Sequence, residues 1–284
     1  MRKGLPSGTS FLVCFARGLG VDDDSIDPFA SELLPPWLGR IAAMPARFGS
    51  AASLYRSAVR VTTLGLVDHA VLRTRAIDAH LESALEAGVR QLVILGAGLD
   101  ARAWRIEALK EAVVFEVDHP ATQGYKRVRT AGKAPPCDIR YVAVDFEEDQ
   151  LSVGLEQSGF RRDLPSVWIW EGVTMYLPVR AVQRTMHQVT DLAAEGSFIA
   201  LTYRVPDGLP FGALGRAAIP MLFAAAGEPL KATFAPSEIE ATFGPGWDVV
   251  YDDDPRGWQK LTRSTARPSR TFSAERLAVA RRRP

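Results

Sequence analysis

Cysteine is nearly absent. Cys14 and Cys137 are the only two in 284 residues, and they give neither a metal-ligand spacing nor the density of a disulfide-stapled domain, so a reducing cytoplasm is the expected compartment. An excess of one charge is also lacking. With 34 Lys and Arg against 33 Asp and Glu, the net charge is +1, and no global field favours nucleic acid or an anionic membrane. No apolar run approaches the roughly 20 residues needed to span a bilayer. The opening MRKG followed by FLVCFARGLG has the outline of a leader, but Arg17 interrupts it and no cleavage site follows, so no leader is expected. No Ser-His-Asp or Cys-His set stands out, which argues against a hydrolase, and no internal repeat is visible. Asp22-Asp23-Asp24 reads as a solvated turn, and no metal site is expected.

What is present is enough hydrophobic residue, 47% of the chain, to bury one large core with a small cap. The chain is organised around VRQLVILGAGLDARAW, residues 89 to 104. The run Leu92 to Leu95 stops at Gly96-Ala97-Gly98. A continuous run containing Val and Ile, closed by glycines, predicts a strand buried on both faces. The glycines allow a tight turn and close approach of a ligand, and a helix opening after them offers N–H groups to anionic or polar groups.

Residues 1 to 65 carry short helical patterns broken by Gly and Pro and predict a helical cap or lid. Residues 66 to 87 predict an amphipathic helix closed by Gly88. Strands are expected at 91–95, 113–117, 141–144, 167–171 and 197–203. Helices are expected near 100–110, 120–131, 147–158 and 178–194, with Pro120 and Pro178 at first helical positions. This alternation predicts an α/β fold, a doubly wound and mostly parallel sheet. After Tyr203 come an apolar insert at about 204–235 with a helix near 215–226, a helix near 236–243, and weaker strands near 247–252 and 258–262. The core is expected to span 66–263. The basic stretch 264–284 reads as a disordered tail.

In such a sheet the ligand lies beyond the carboxyl ends of the strands. Around Gly96, Ala97 and Gly98 stand Asp118, Asp145 and Glu171, each at a strand end. One such acid would be read as a helix cap, but three around a glycine turn favour a ligand site. Asp118 lies 20 residues past Gly98, suited to a carboxylate that takes ribose hydroxyls. Asp145-Phe146 suits an adenine. The glycine motif alone fits a nicotinamide dinucleotide as well as S-adenosyl-L-methionine. A dinucleotide enzyme would need a second phosphate-binding surface and a hydride-transfer acid, and neither has a convincing candidate. The amino-acid end of S-adenosyl-L-methionine would need a cation, and Arg73, with Arg75 close by, precedes the glycine turn on a helix. Glu171 would stay ionised near the ammonium and sulfonium.

LRTRAID (72–78), VILGAGLDARAWR (93–105), VFEVDHP (114–120), YVAVDFEED (141–149) and WEGVTMYLP (170–178), with the opening SGTSFLVCFARGLGVDDDSIDPFASELL, resemble the leucine carboxyl methyltransferase family. This is a class I S-adenosyl-L-methionine-dependent methyltransferase family, and the likeness is to its bacterial and actinobacterial O-methyltransferase branch. The resemblance implies a Rossmann-like seven-stranded sheet with the last strand inserted antiparallel. It implies that Arg73 binds the methionyl carboxylate and that Gly96 and Gly98, with Ala97 between them, approach the amino-acid moiety. Asp118, followed by His119, would take the ribose, Asp145 and Phe146 the adenine, and Glu171 the methionyl end. S-adenosyl-L-homocysteine would be the product.

The acceptor side departs from any pattern the resemblance supplies. Tyr176 and Tyr203 are the candidates for a catalytic hydroxyl, while His119 reads as shaping a turn and His187 as structural. Arg204 would attract a substrate carboxylate or serve as a surface charge. Phe211, Ile219, Met221, Leu222 and Phe223 make the insert apolar, which points to core packing or to an apolar or aromatic small acceptor such as a polyketide-like metabolite of secondary metabolism. Methylation of a carboxylate or hydroxyl of such a molecule is the leading expectation. A protein carboxyl terminus as acceptor, a nicotinamide-dependent oxidoreductase and a catalytically silent binding module are the alternatives. Nucleic acid and membrane are not expected as partners.

Overall fold

The computed structural model describes residues 7–20, 26–44, 52–206 and 229–284. Asp22 to Asp24 and the insert residues Phe211, Ile219, Met221, Leu222 and Phe223, with the helix expected near 215–226, lie outside the described residues. The chain runs through cap helices α1 (Gly8–Leu19), α2 (Ala30–Leu33), α3 (Pro36–Ala42) and α4 (Ala52–Thr62). Next come the long α5 (Leu66–Glu86), β1 (Gln91–Leu95), α6 (Arg102–Arg105), β2 (Val113–Asp118), α7 (Pro120–Thr130) and β3 (Asp138–Ala143). They are followed by α8 (Leu151–Gln157), β4 (Val167–Trp170), α9 (Val179–Leu192) and β5 (Phe198–Arg204). The chain ends with α10 (Pro236–Phe243), β6 (Trp247–Asp253), α11 (Pro255–Thr262) and β7 (Glu275–Arg282).

The sheet has seven strands in the order β3-β2-β1-β4-β5-β7-β6. The first five are parallel, and β7 runs antiparallel to both β5 and β6. Reversal of strand order between β1 and β4 opens the crevice at their carboxyl ends. All five residues of β1 are buried, as an apolar run covered on both faces requires. On one face Val93, Leu95, Trp168, Trp170, Leu201 and Tyr203 pack under α8, α9 and α10. On the other, Leu92, Ile94, Ile169, Ala200, Leu277 and Val279 pack under α5, α6 and α11.

Two expectations for the C-terminal part are corrected. Residues 264–284 are not a disordered tail, because Glu275–Arg282 forms β7 in the interior of the sheet. The apolar run Leu277-Ala278-Val279-Ala280 is buried on both faces, while Arg281, opposite Phe198 of β5, is exposed near the end of the strand. Residues 258–262 are helix rather than strand. Asp254 accepts from the N–H groups of Arg256 and Gly257, Pro255 occupies the first turn, and Trp258 is buried.

The cap is continuous with the core. Cys14, Leu33 and Leu34 pack against Leu99 and Ala101 just beyond the glycine turn, and Leu19 packs against Val67 and Ala70 of α5. Among the described residues no helix is long and apolar enough to cross a membrane.

Candidate functional site

Gly96 and Gly98 both have positive φ, at 69° and 49°, a conformation that only glycine adopts readily. A Cβ at Gly96 would lie 2.4 Å from Cγ2 of Val173. The turn is pinned to the second strand, where Gly96 and Ala97 donate to the carbonyl of Val117 and Gly98 donates to Oδ2 of Asp118. The other Asp118 oxygen accepts from the backbone N–H of His119 at 2.6 Å. Burial pushes the Asp118 carboxyl up, and the two backbone donors pull it back only in part. His119 itself caps α7, its Nδ1 accepting from Ala121.

These residues border a cavity of about 720 Å³. The lining includes Gly96, Ala97, Gly98, Asp118, His119, Asp145, Phe146, Glu171, Arg73 and Tyr176. All the expected cofactor-side residues are therefore brought to one crevice. Val144 and Phe146 give its β3 end an apolar wall, and Asp145 accepts from the N–H of Glu147. Helix α1 covers the turn with Ser7, Thr9, Ser10 and Val13.

The opposite end is a buried ion network. Oε1 of Glu171 lies 2.5 Å from Nη2 of Arg17 and 2.8 Å from Nε of Arg73, and Oε2 lies 2.8 Å from Nη1 of Arg102. Burial alone would raise the Glu171 carboxyl, but Arg17, Arg102 and Arg73 outweigh it and hold the group well below the usual carboxylate range. Arg73 also forks to Glu275, whose Oε2 meets Nε2 of His69 at 2.6 Å. Behind them Arg102 bonds to Asp78 and Asp100, and Lys126 joins the buried Glu116 to the carbonyl of Asp100. Buried charges persist in this form because each has an opposite charge within contact distance.

Sequence reasoning missed Arg17, Arg102 and Glu275. In the sequence Arg17 interrupts an apolar stretch; in α1 it is the one charged side chain, and it is buried on the core side. Arg102 follows the glycine turn by four positions and is 1% exposed. Arg75, expected near Arg73, lines a separate cavity between α1 and α5.

Tyr203 is corrected. Alternation along β5 places it with Leu201 in the core, fully buried, where its hydroxyl meets Asp252 Oδ2 at 2.7 Å and Nε of Arg276 at 3.1 Å. It does not line the cavity. Burial and the Asp252 carboxylate push its phenol up, which further removes it from acid–base work. Tyr176, in a 3₁₀ turn at Thr174–Tyr176, does line it. His187 is exposed on α9 beside Asp191. The segment 229–235 returns over this turn: Lys231 donates to the carbonyl of Met175 at 2.7 Å, and its Nζ pairs with Glu147 across the mouth at 2.8 Å.

Known proteins agree with this architecture. A Thermobifida fusca crystal structure, provisionally named a methyltransferase, superimposes with a TM-score of 0.63 at 17% identity over 100% of this chain and 97% of that one. A DUF574 family protein from Streptomyces avermitilis does so with a TM-score of 0.60 at 18% identity, over 98% of each chain. At these identities the likeness is one of fold. A protein of Mycobacterium sp. (strain JLS), provisionally named an S-adenosyl-L-methionine-dependent methyltransferase, is 43% identical over 136 residues, covering 47% of this chain and 44% of that relative. One of the same name from Mycolicibacterium paratuberculosis is 41% identical over 145 residues, 50% of this chain and 45% of the relative. The matched stretch is thus under half the length of these relatives. The family model of leucine carboxyl methyltransferase matches residues 15–190, from the cap helix that carries Arg17 to the helix after β4, and the chain belongs to that family.

Proposed function

We propose that the chain is an S-adenosyl-L-methionine-dependent O-methyltransferase acting on a small, apolar or aromatic acceptor. The observation that carries this reading is the polarity of one crevice, which has a fixed carboxylate beside the glycine turn at one end and guanidinium groups at the other. A ribose fits the Asp118 end, because a carboxylate has four acceptor sites and two are already used by Gly98 and His119. An adenine fits between the apolar wall of Val144 and Phe146 and the carboxylate of Asp145. A methionyl carboxylate fits Arg73, joined by Arg17, and an ammonium fits the rim of Glu171. No second cationic surface for a dinucleotide phosphate lies beside the glycine turn among the described residues, so the nicotinamide reading has less support.

The cofactor supplies a methyl group activated on a sulfonium. Transfer is an in-line displacement in which an acceptor oxygen lone pair forms the new C–O bond as the C–S bond breaks, leaving neutral S-adenosyl-L-homocysteine. The protein's contribution is chiefly positioning and exclusion of water. Glu171 fixes Arg17 and Arg73, and α1 covers the crevice. Tyr176, on the acceptor side, orients the attacking oxygen by a hydrogen bond. A carboxylate acceptor needs no base, whereas a phenol must lose its proton. The acceptor is bounded by α1 and by Pro229 and Lys231, which line the cavity. Two buried free thiols, Cys14 and Cys137, accord with a cytoplasmic location.

The test is formation of S-adenosyl-L-homocysteine from S-adenosyl-L-methionine with a panel of aromatic acids and phenols. Product formed with an acceptor and absent without one supports the reading. Cofactor binding with no turnover on any acceptor would favour a silent binding module.

A further inference from the structure

We propose that Lys126 is a positioning residue for the cofactor: from behind the cavity wall it holds the carbonyl of Asp100 and so sets the glycine turn against which S-adenosyl-L-methionine binds. This rests on the cofactor crevice described above and adds a residue to it. Lys126 of α7 and Glu116 of β2 are each 1% exposed. Nζ of Lys126 lies 2.7 Å from Oε2 of Glu116 and also donates to the carbonyl of Asp100. Asp100 lines the cavity two residues after Gly98. Its N–H donates to the carbonyl of Ala97 at 2.7 Å, which closes the turn on itself. The Asp100 carboxylate accepts from the N–H of Arg102 at 2.7 Å and pairs with its guanidinium, whose Nη1 reaches Oε2 of Glu171 at 2.8 Å.

The turn is thereby held from two sides by one unit of structure, β2 with α7. Asp118, at the end of β2, takes the N–H of Gly98, and Lys126, reaching back from α7, takes the carbonyl of Asp100. Helix α7 is itself firmly seated. Gln123, one turn before Lys126 and on the same side, donates to the carbonyls of Glu116 at 2.9 Å and Val142 at 2.7 Å. A buried ammonium is costly, and Glu116 supplies the opposite charge that makes it tolerable. Such a pair adds little stability of its own, and apolar side chains of similar size would serve packing as well. An apolar residue at 126 could not, however, give the Asp100 carbonyl a donor. Without that donor the 98–100 segment is free to shift. It would carry with it the Gly98 N–H that orients Asp118 and the Asp100 carboxylate that holds Arg102 against Glu171. Both ends of the crevice therefore depend on one lysine that stands outside the cavity.

The test compares three variants with the wild type by calorimetric titration with S-adenosyl-L-homocysteine, by thermal melting, and by amide hydrogen exchange of residues 96–101 in the unloaded protein. Lys126→Met should lower the melting temperature, weaken S-adenosyl-L-homocysteine by about tenfold or more, and speed exchange in 96–101. Glu116→Gln, which keeps an acceptor for Nζ, should lower the melting temperature but leave affinity and exchange near those of the wild type. Lys126→Met combined with Glu116→Met removes both charges. It should recover much of the melting temperature and still bind as weakly as Lys126→Met. A role in stability alone would make affinity follow the melting temperature across the series. Wild-type affinity in the double variant, or equal losses in Lys126→Met and Glu116→Gln, would overturn the proposal. If Lys126→Met does not fold, the double variant decides by the same criterion. Failure of the wild type to bind S-adenosyl-L-homocysteine would instead count against the cofactor reading of the crevice. Exchange in the unloaded variants then still reports on Lys126, and unchanged exchange in 96–101 would show that it does not set the turn.

Discussion

Nη1 of Arg73, on α5, lies 2.9 Å from both carboxylate oxygens of Glu275, the first residue of the last strand. The same guanidinium holds Glu171 through Nε. One side chain therefore ties the helix before the glycine turn to the end of β4 and to the last strand of the sheet. The site's electrostatics and the placement of β7 are one arrangement, and a change in either should be felt in the other.

Glu275 carries the pH dependence of that arrangement. Burial would raise its carboxyl, but Arg73 and His69 prevail and bring it from an ordinary 4.5 down to about 2. A depressed folded-state pKa contributes stability that is present above the ordinary carboxylate range and lost as pH falls through the folded value. Stability should therefore decline between about pH 5 and pH 2, with Glu171 adding to the same trend. Glu275→Gln should cost about 3 kcal/mol at neutral pH, because it leaves Arg73 short of a buried partner. It should also flatten the acid limb of the stability curve. Urea unfolding of both proteins from pH 7 to pH 3 measures this, and parallel curves would contradict it.

Asp118→Ala should abolish binding of S-adenosyl-L-methionine, weakening it by about a hundredfold or more if two ribose hydroxyls lose a buried carboxylate. The fold should persist, since burial already disfavours the ionised form of this group. Calorimetric titration beside a far-ultraviolet dichroism spectrum reads both, and wild-type affinity in the variant would remove Asp118 from the ribose.

Arg17→Ala and Arg73→Ala should each weaken S-adenosyl-L-homocysteine more than adenosine, by about tenfold or more, because only the former has a carboxylate for the guanidinium. Arg73→Ala should also lower the melting temperature, as it strips Glu171 and Glu275 of a shared partner. Among the described residues Arg17 pairs with Glu171 alone of the carboxylates and should cost less stability. Equal losses for the two ligands would refute a role at the methionyl carboxylate.

The two tyrosines should separate cleanly. Tyr176→Phe should lower kcat by about tenfold with little change in stability, the scale of one positioned hydrogen bond. Tyr203→Phe should leave kcat near wild type and cost about 1 kcal/mol of stability, through its lost bonds to Asp252 and Arg276. Steady-state kinetics and chemical denaturation of both variants test the contrast.

Much of this molecule is written locally. The apolar run into Gly96-Ala97-Gly98 identifies β1 and its turn because both the strand and the positive φ values are short-range necessities. Asp118 and Glu171 are legible because each ends a strand beside that turn. The C-terminal region was not legible for a physical reason. Leu277 to Ala280 is only four apolar residues long, flanked by Glu275, Arg276 and Arg281, and flanking charges mimic a solvated tail. What buries Glu275 is Arg73, far away in the chain, and no local pattern reports such a pairing. Arg17 was hidden in the same way, since its partners Thr74 and Glu171 come from distant elements. Residues 258–262 could have been read correctly, because Asp254-Pro255 is a helix-start signal and Trp258 falls on its buried side.

The most direct test of the account is parallel calorimetric titration of the purified protein with S-adenosyl-L-methionine, S-adenosyl-L-homocysteine and NAD. The crevice as described predicts binding of the first two at about micromolar dissociation constants and none of NAD, since it offers one ribose carboxylate and a cationic end for an amino acid. Binding of NAD without the other two would contradict it and would leave the fold with a different chemistry.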